Sequence, residues 1–244
     1  MPSSADIVDA HPRRDPAAGL ADTLREAVGR HGRRAVLLCS FQKEESVLVD
    51  ELLKVSGGRP DAVRIVTIDT GVLFEETLQT WRSFEERFGV KIEVEDAFGP
   101  QGPWTGPDNC CSAAKVAALE RALAGAEGWI TGIRREQGPT RADTKLIERD
   151  EKRAVWKYNP LADWTDKDLW RRIHESDLPY NPLHDEGYES IGCAPCTKPG
   201  RGREGRWAGT TKTECGLHVD LGSEEQATVQ ESAPVAGLNP GEGR

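Results

Sequence analysis

The 244-residue chain contains no run of about 18 apolar residues, so a transmembrane helix is not expected. Its opening stretch, MPSSADIVDAHPRRD, lacks the apolar core of a secretory signal, which points to the cytoplasm. No internal repeat is visible. Positive charge is in deficit: 32 Lys and Arg face 41 Asp and Glu, for a net charge of −9. That balance argues against bulk nucleic-acid binding and against a membrane surface as partner. Aromatic residues make up only 6% and hydrophobic residues 37%, which is lean but sufficient for a core. The length suits one full-sized domain or two small ones.

Six cysteines are present, at positions 39, 110, 111, 193, 196 and 215. In a reducing compartment, clustered cysteines read first as metal ligands or catalytic thiols. Basic residues also gather locally, as Lys198, Arg201, Arg203, Arg206 and Lys212, where an anionic ligand would need them.

Strand and helix signals alternate between two polar ends. Residues 1–16 read as a flexible arm and 220–244 as a disordered tail. A short helix is expected over Leu20 to Val28, then a doubly buried strand over Ala35 to Cys39. Helix follows over Glu44 to Lys54, strand over Val63 to Ile68, helix over Glu75 to Phe88, and strand over Val90 to Val94. Asn109 to Leu123 reads as helix, Trp129 to Ile133 as strand, Trp156 to Leu161 as an extended segment, and Asp166 to His174 as a helix capped by Thr165. Beyond Pro179 the chain reads mostly as loop. Such alternation predicts an α/β fold with a mainly parallel sheet, whose ligands bind beyond the carboxyl ends of the strands. Ser40-Phe41-Gln42-Lys43 and Asp69-Thr70-Gly71 follow strands and fall there.

Four constellations can carry chemistry. Cys110-Cys111 with Cys193-x-x-Cys196 offers four thiolates. Adjacent cysteines splay apart and suit the corners of a [4Fe–4S] cluster better than one tetrahedral ion, although a Cys₄ zinc site or reduced loop thiols stay open. Cys215 lies past the basic loop, with His218 three residues on. Nearby cations would lower its pKa and make it a nucleophile, whereas its local sequence alone suits an ordinary tail thiol. Arg203-Glu204-Gly205-Arg206 is either a solvated charged face or a guanidinium pair for phosphate or sulfate oxygens. Thr131-Gly132-Ile133-Arg134-Arg135, with Gln137, Thr140 and Arg141, follows a strand and is either a surface loop or a further anion contact. Cys39 reads as a packed core thiol, and His174 as a partner of its helix dipole.

Together these segments resemble the assimilatory adenylyl-sulfate reductases, a branch of the PAPS/APS reductase family. The matching pieces are SF at 40–41, DTG at 69–71, NCCSAAK at 109–115, TGIRREQGPTRA at 131–142, NPLADWTDKDLW at 159–170, GYESIGCAPCTKP at 187–199, REGRW at 203–207 and KTECGLH at 212–218. The resemblance implies a Rossmann-like, adenine-nucleotide alpha-hydrolase (PP-loop-like) fold. It implies a nucleotide-binding domain over 17–200 and a mobile catalytic segment over 201–219. Cys110, Cys111, Cys193 and Cys196 would ligate a [4Fe–4S] cluster. Lys115, Arg203 and Arg206 would contact the phosphosulfate of adenosine 5′-phosphosulfate, with Ser40, Asp69, Thr70, Gly71, Arg134 and Arg141 as further substrate residues. Cys215 would be the nucleophile, thioredoxin the electron donor, and sulfite and AMP the products. A homo-oligomer, dimer or tetramer, is compatible with it. Two alternatives are an ATP pyrophosphatase, which would want an SGGxDS-like loop that is absent, and a zinc-binding interaction module. The turn after the first strand departs from the SFSGAED-like pattern of the family: here it reads SFQKEES, without glycine, so a less close approach of its backbone to a ligand is expected.

Overall fold

Ala35–Leu38 (β1) is an apolar run in which neighbours Val36 and Leu37 are both fully buried, in separate cores on opposite faces of a sheet. Continuous apolarity in a strand has this consequence: both faces are covered. The structure, a computed structural model, describes residues 15–97 and 113–207. In the sheet, β1 pairs in parallel with Arg64–Asp69 (β2) on one side and Gly128–Ile130 (β4) on the other. Ile92–Asp96 (β3) adds beyond β2 and Val155–Tyr158 (β6) beyond β4, both parallel. Ile147–Asp150 (β5) forms the far edge, antiparallel to β6. The order β3-β2-β1-β4-β6-β5 places the reversal of winding between β1 and β4.

Helices cover both faces. Leu24 of Pro16–His31 (α1), Leu48 of Lys43–Val55 (α2), Phe84 of Glu75–Phe88 (α3) and Leu169 of Asp166–Glu175 (α5) join Leu37 and Ile65 in one core. Leu119 and Ala122 of Ala113–Ala122 (α4) join Val36, Val66, Trp129, Cys193, Cys196 and Trp207 in the other. Full burial of a side chain such as Leu48 contributes about 1.5–3 kcal/mol. Both cores draw on β1 and β2, so the strand ends that carry loops are held from two sides.

The α/β architecture expected from the alternation is the one observed. Helix α3 has the predicted bounds and stops at Gly89, which takes the left-handed conformation with φ 64°. Helix α1 starts earlier than its apolar spacing suggests, because Asp15 caps it by accepting from the Ala17 N–H at 3.1 Å and Pro16 opens it. Strand β5 was not foreseen. Its sequence, IERD, has no apolar alternation, and it is held by its ladder to β6 and by the Asp150–Arg153 ion pair at the turn. Trp129, Trp164 and Trp207 are buried anchors.

Helix α5 begins as its sequence predicts. The Thr165 Oγ1 accepts from the Asp168 N–H at 3.1 Å, and the Asp168 carboxylate accepts from the Thr165 N–H at 3.0 Å. Thr165→Ala should therefore cost about 1 kcal/mol in urea denaturation with an unchanged m value. A loss below a few tenths would show that α5 is held by packing alone.

Candidate active site

The carboxyl ends of β1, β2 and β4 open into one cavity of about 530 Å³, at the point where the sheet order reverses. Its floor is Leu38, Cys39 and Ser40 after β1, Thr67 and Ile68 of β2, and Thr131 to Arg134 after β4. Cys39 is 1% exposed, and burial followed by the Glu45 charge pushes its thiol well above its ordinary value. It is a packing residue, as expected.

One wall is acidic and buried. The first turn of α2 presents Lys43, Glu44 and Glu45, each at most 5% exposed. Burial alone would raise the Glu44 carboxyl, but the Arg134 and Lys43 charges overcome it and hold Glu44 below the usual carboxylate range. Arg134 donates its Nε to Glu44 at 3.0 Å, Nη1 to Glu136 at 2.8 Å and Nη2 to Asp166 at 3.1 Å. Lys43 Nζ lies 2.5 Å from Asp166. Among the described residues no cation pairs with Glu45. Burial, then repulsion from Glu44, pushes it up to about 8. Its Oε2 accepts from the Ser40 hydroxyl and from the Gln42 N–H, both at 3.0 Å. A Cβ at Gly132 would lie 2.9 Å from Glu45 Oε1, so only glycine lets the loop after β4 pass this close to α2.

The opposite wall is cationic and carries sulfur. Lys115, Arg203 and Arg206 line the same cavity as Gly192 and Cys193. Arg206 Nη1 donates to the Ile191 carbonyl at 3.0 Å and to the Ser190 hydroxyl at 3.2 Å, and a Cβ at Gly192 would stand 2.7 Å from its guanidinium. Arg203 and Arg206 lie 5.2 and 4.8 Å from the ring centre of Trp207, a cation–π arrangement. Trp207 is 2% exposed, and its N–H donates to the Cys196 carbonyl at 2.8 Å. At Gly205 a Cβ would fall on the carbonyl oxygen of Lys198, so the REGRW loop folds back tightly on the cysteine loop.

Cys193 and Cys196 flank the short 3₁₀ turn Ala194–Cys196, both buried, and the Thr70 Oγ1 stands 3.1 Å from the Cys193 Sγ. Two shielded sulfur donors on one turn, one with a hydroxyl at hydrogen-bonding distance, fit thiolate ligation of a soft metal centre. Cys110, Cys111 and Cys215 lie outside the described residues. Among the described residues no group of three or more metal-ligating side chains converges.

The other sequence candidates divide. Ser40, Arg134 and Arg141 line the cavity. Arg134 is committed to three carboxylates, and Arg141 donates to Gln137 Oε1, so both bind the framework first. Asp69, Thr70 and Gly71 are not on the cavity wall. Asp69 Oδ1 accepts from the Gly71 N–H at 2.8 Å, and Thr70 turns to Cys193. Sequence reasoning placed Lys43 and Gln137 near the strand ends but missed Glu44, Glu45 and Asp166, because charged residues in a helix's first turn ordinarily face solvent. The available signal was position: a helix opening straight from a doubly buried strand points its first turn at the strand ends. None of the described helices is long and apolar enough to cross a membrane.

An α/β sheet whose switch-point cavity joins a nucleotide-sized pocket to a cationic, thiol-bearing loop defines a nucleotide-binding protein of the PP-loop type. The chain matches the phosphoadenosine phosphosulfate reductase domain over residues 34–199 and belongs to that family. It is 46% identical, over 215 residues, to the adenosine 5′-phosphosulfate reductase of Bacillus pumilus, covering 82% of this chain and 91% of that one. It is 44% identical to the phosphoadenosine 5′-phosphosulfate reductase of Gloeobacter violaceus over 213 residues, covering 80% and 87%. Among solved structures, phosphoadenylyl-sulfate reductase from Candida auris in a phosphate complex superposes with a TM-score of 0.63 at 25% identity, covering 73% of this chain and 90% of that one. The FMN adenylyltransferase of Candida glabrata shares the fold, with a TM-score of 0.56 at 15% identity, covering 75% and 64%.

The buried Glu45 makes stability depend on pH. Folded, it titrates at about 8, against 4.5 for an ordinary glutamate. Between those values the folded state holds a proton that the unfolded chain releases. Its contribution to stability is therefore full below the unfolded value and declines as pH rises towards 8. Glu45→Gln keeps an oxygen for Ser40 and Gln42 and removes the titration. Its stability advantage over the parent should widen by on the order of 2 kcal/mol between pH 6 and pH 8.5, read as a growing Tm gap. A gap independent of pH would show that Glu45 is ionised when folded.

Proposed function

We propose that this protein reduces adenosine 5′-phosphosulfate to sulfite and AMP in cytoplasmic sulfate assimilation, with a thioredoxin as electron donor. The observation that carries this reading is the division of one cavity: a polar pocket at the sheet's switch point runs directly into Lys115, Arg203 and Arg206 beside Cys193. A ligand with a neutral nucleoside end and a doubly anionic end matches that division. The names of the relatives, on both sides of the 3′-phosphate distinction, support the same substrate class. The four-cysteine pattern of Cys110, Cys111, Cys193 and Cys196 favours the substrate without the 3′-phosphate.

The chemistry assigns Cys215 as nucleophile. Its thiolate attacks the sulfur of the sulfate group. A sulfur–sulfur bond forms, the bond from that sulfur to the bridging oxygen breaks, and AMP leaves with the bridging oxygen and the electron pair. Lys115, Arg203 and Arg206 offset the charge that builds on the phosphate and sulfate oxygens. A thioredoxin thiolate then attacks the Cys215 sulfur, and sulfite leaves with the electron pair of the broken bond. The second thioredoxin thiol closes the thioredoxin disulfide and returns Cys215 reduced.

Cys110, Cys111, Cys193 and Cys196 would hold a [4Fe–4S] cluster. When bound, the cluster would supply a rigid cross-link and fixed charge beside the cationic wall. Lys115 lies four residues after Cys111 and would stand between cluster and ligand.

Protein mixed with adenosine 5′-phosphosulfate and no thioredoxin should gain about 80 Da, one sulfonate, mapping to Cys215. Reduced thioredoxin should remove it with release of one sulfite. Cys215→Ser should neither gain mass nor turn over, and an adduct on Cys39 would overturn the assignment.

Anaerobically purified protein should be brown, absorb near about 400 nm and carry iron and sulfide, all lost in Cys193→Ser. Stoichiometric zinc with full activity would refute the cluster. Alanine at Lys115, Arg203 or Arg206 should weaken kcat/KM by about 1–3 kcal/mol each while the cluster spectrum persists.

A further inference from the structure

Gln42 stands where the reductase pattern has a small residue, at the N-cap of α2, and its side chain reaches beyond its own helix. Its Oε1 accepts from the Ile191 N–H at 2.8 Å and from the Ser190 hydroxyl at 3.4 Å, and its Nε2 donates to Ser40 Oγ at 3.2 Å. The carbonyl of the same Ile191 accepts from Arg206 at 3.0 Å, and the same Ser190 hydroxyl meets Arg206 at 3.2 Å. Ile191 is 3% exposed, so water cannot readily replace either partner. Thus one buried residue is gripped through its N–H by the nucleotide loop and through its carbonyl by a cation of the opposite wall. Its neighbour Gly192 leaves Arg206 only the space that a missing Cβ provides.

We propose that Gln42 is a positioning residue for Arg206: by fixing Ser190 and Ile191 it sets the guanidinium against the anionic end of the ligand and couples the two walls of the cavity. This rests on the reading that Arg206 contacts the phosphosulfate. Without the Gln42 oxygen, the Ile191 N–H must find another acceptor, the segment shifts, and the acceptors that orient Arg206 shift with it. Gln42 itself needs no contact with the reacting atoms.

The test is a double-mutant cycle in the full chain, in a Cys215→Ser background so that adenosine 5′-phosphosulfate binds without turning over. Titration calorimetry with that ligand and with adenosine gives the affinities of the parent, Gln42→Ala, Arg206→Ala and the double variant. Gln42→Ala should lower the ratio of phosphosulfate to adenosine affinity about tenfold, and should lower it less than twofold further when Arg206 is already alanine. Ser190→Ala, a milder change that removes the hydroxyl touching both side chains, should move the ratio the same way by a smaller factor. Thermal melts and the visible spectrum show whether each variant is folded. Additive effects of Gln42→Ala and Arg206→Ala, or an equal loss of both ligands in Gln42→Ala, would overturn the coupling. If Gln42→Ala does not fold, an unchanged ratio in Ser190→Ala would overturn it. A parent that binds adenosine but not the phosphosulfate would overturn the functional reading itself, and the coupling with it.

Discussion

The buried ion knot around Arg134 is the constraint on which the site depends. Its guanidinium holds Glu44 from α2, Glu136 from the loop after β4 and Asp166 from the start of α5, so three separate chain segments meet at one side chain. The buried pair in it, Arg134–Glu44, adds little net stability when complete, but removing either partner strands the other and costs about 3–5 kcal/mol. The knot therefore specifies geometry more than it adds stability. It also governs its neighbour. Burial first, and then the charge of Glu44 that Arg134 keeps ionised, make Glu45 hold its proton to about pH 8. The N-terminus of α2, an anion site in many nucleotide-binding folds, is thus filled by a side chain of the protein itself.

That occupancy divides the cavity. At the α2 end of the cavity Lys43 and Arg134 are already paired with Asp166 and Glu44, while Lys115, Arg203 and Arg206 line it elsewhere, beside Cys193. An ATP pyrophosphatase on the same fold would need an open helix terminus for pyrophosphate. The net charge of −9 and an anionic ligand are reconciled in the same way, by local segregation of charge.

The regular elements were legible in the sequence because each obeyed a strong local rule. AVLL could only be a strand covered on both faces, Gly89 stopped α3, and Thr165 with Asp168 opened α5. Strand β5 was invisible because an edge strand of Ile-Glu-Arg-Asp is stabilised by its partner and by a turn ion pair, neither of which is local pattern. Within the site, Cys193, Cys196 and the REGRW cations were legible as spaced motifs. The acidic wall was not. Glu44 and Glu45 read only as the start of a helix, and only the tertiary placement of Lys43, Arg134 and Asp166 makes their burial affordable. Asp69 and Thr70 were legible as lying at a strand end, but not their contacts there, the Asx contact of Asp69 to Gly71 and that of Thr70 to Cys193.

In the glycine-free turn SFQKEES the place of the pattern's glycine is taken by Lys43, the first residue of α2. Phe41, which the pattern shares, takes the left-handed conformation, φ 59°. For a non-glycine residue this costs on the order of 1–2 kcal/mol. The cost is offset by where the ring goes. Phe41 is fully buried, stacked on Trp81 at 5.5 Å with planes 15° apart and edge-on to Phe84 at 5.7 Å. Burying an aromatic ring of this size contributes about 1.5–3 kcal/mol, and each well-placed aromatic pair about 0.5–1.5 kcal/mol more, enough to hold the strained turn. The positions that the pattern gives to serine and glycine carry Gln42 and Lys43. Both reach across the cavity entrance to the segment before Cys193, Gln42 to Ile191 and Lys43 to the Glu189 carbonyl. The turn after β1 thus fastens the loop that carries Cys193.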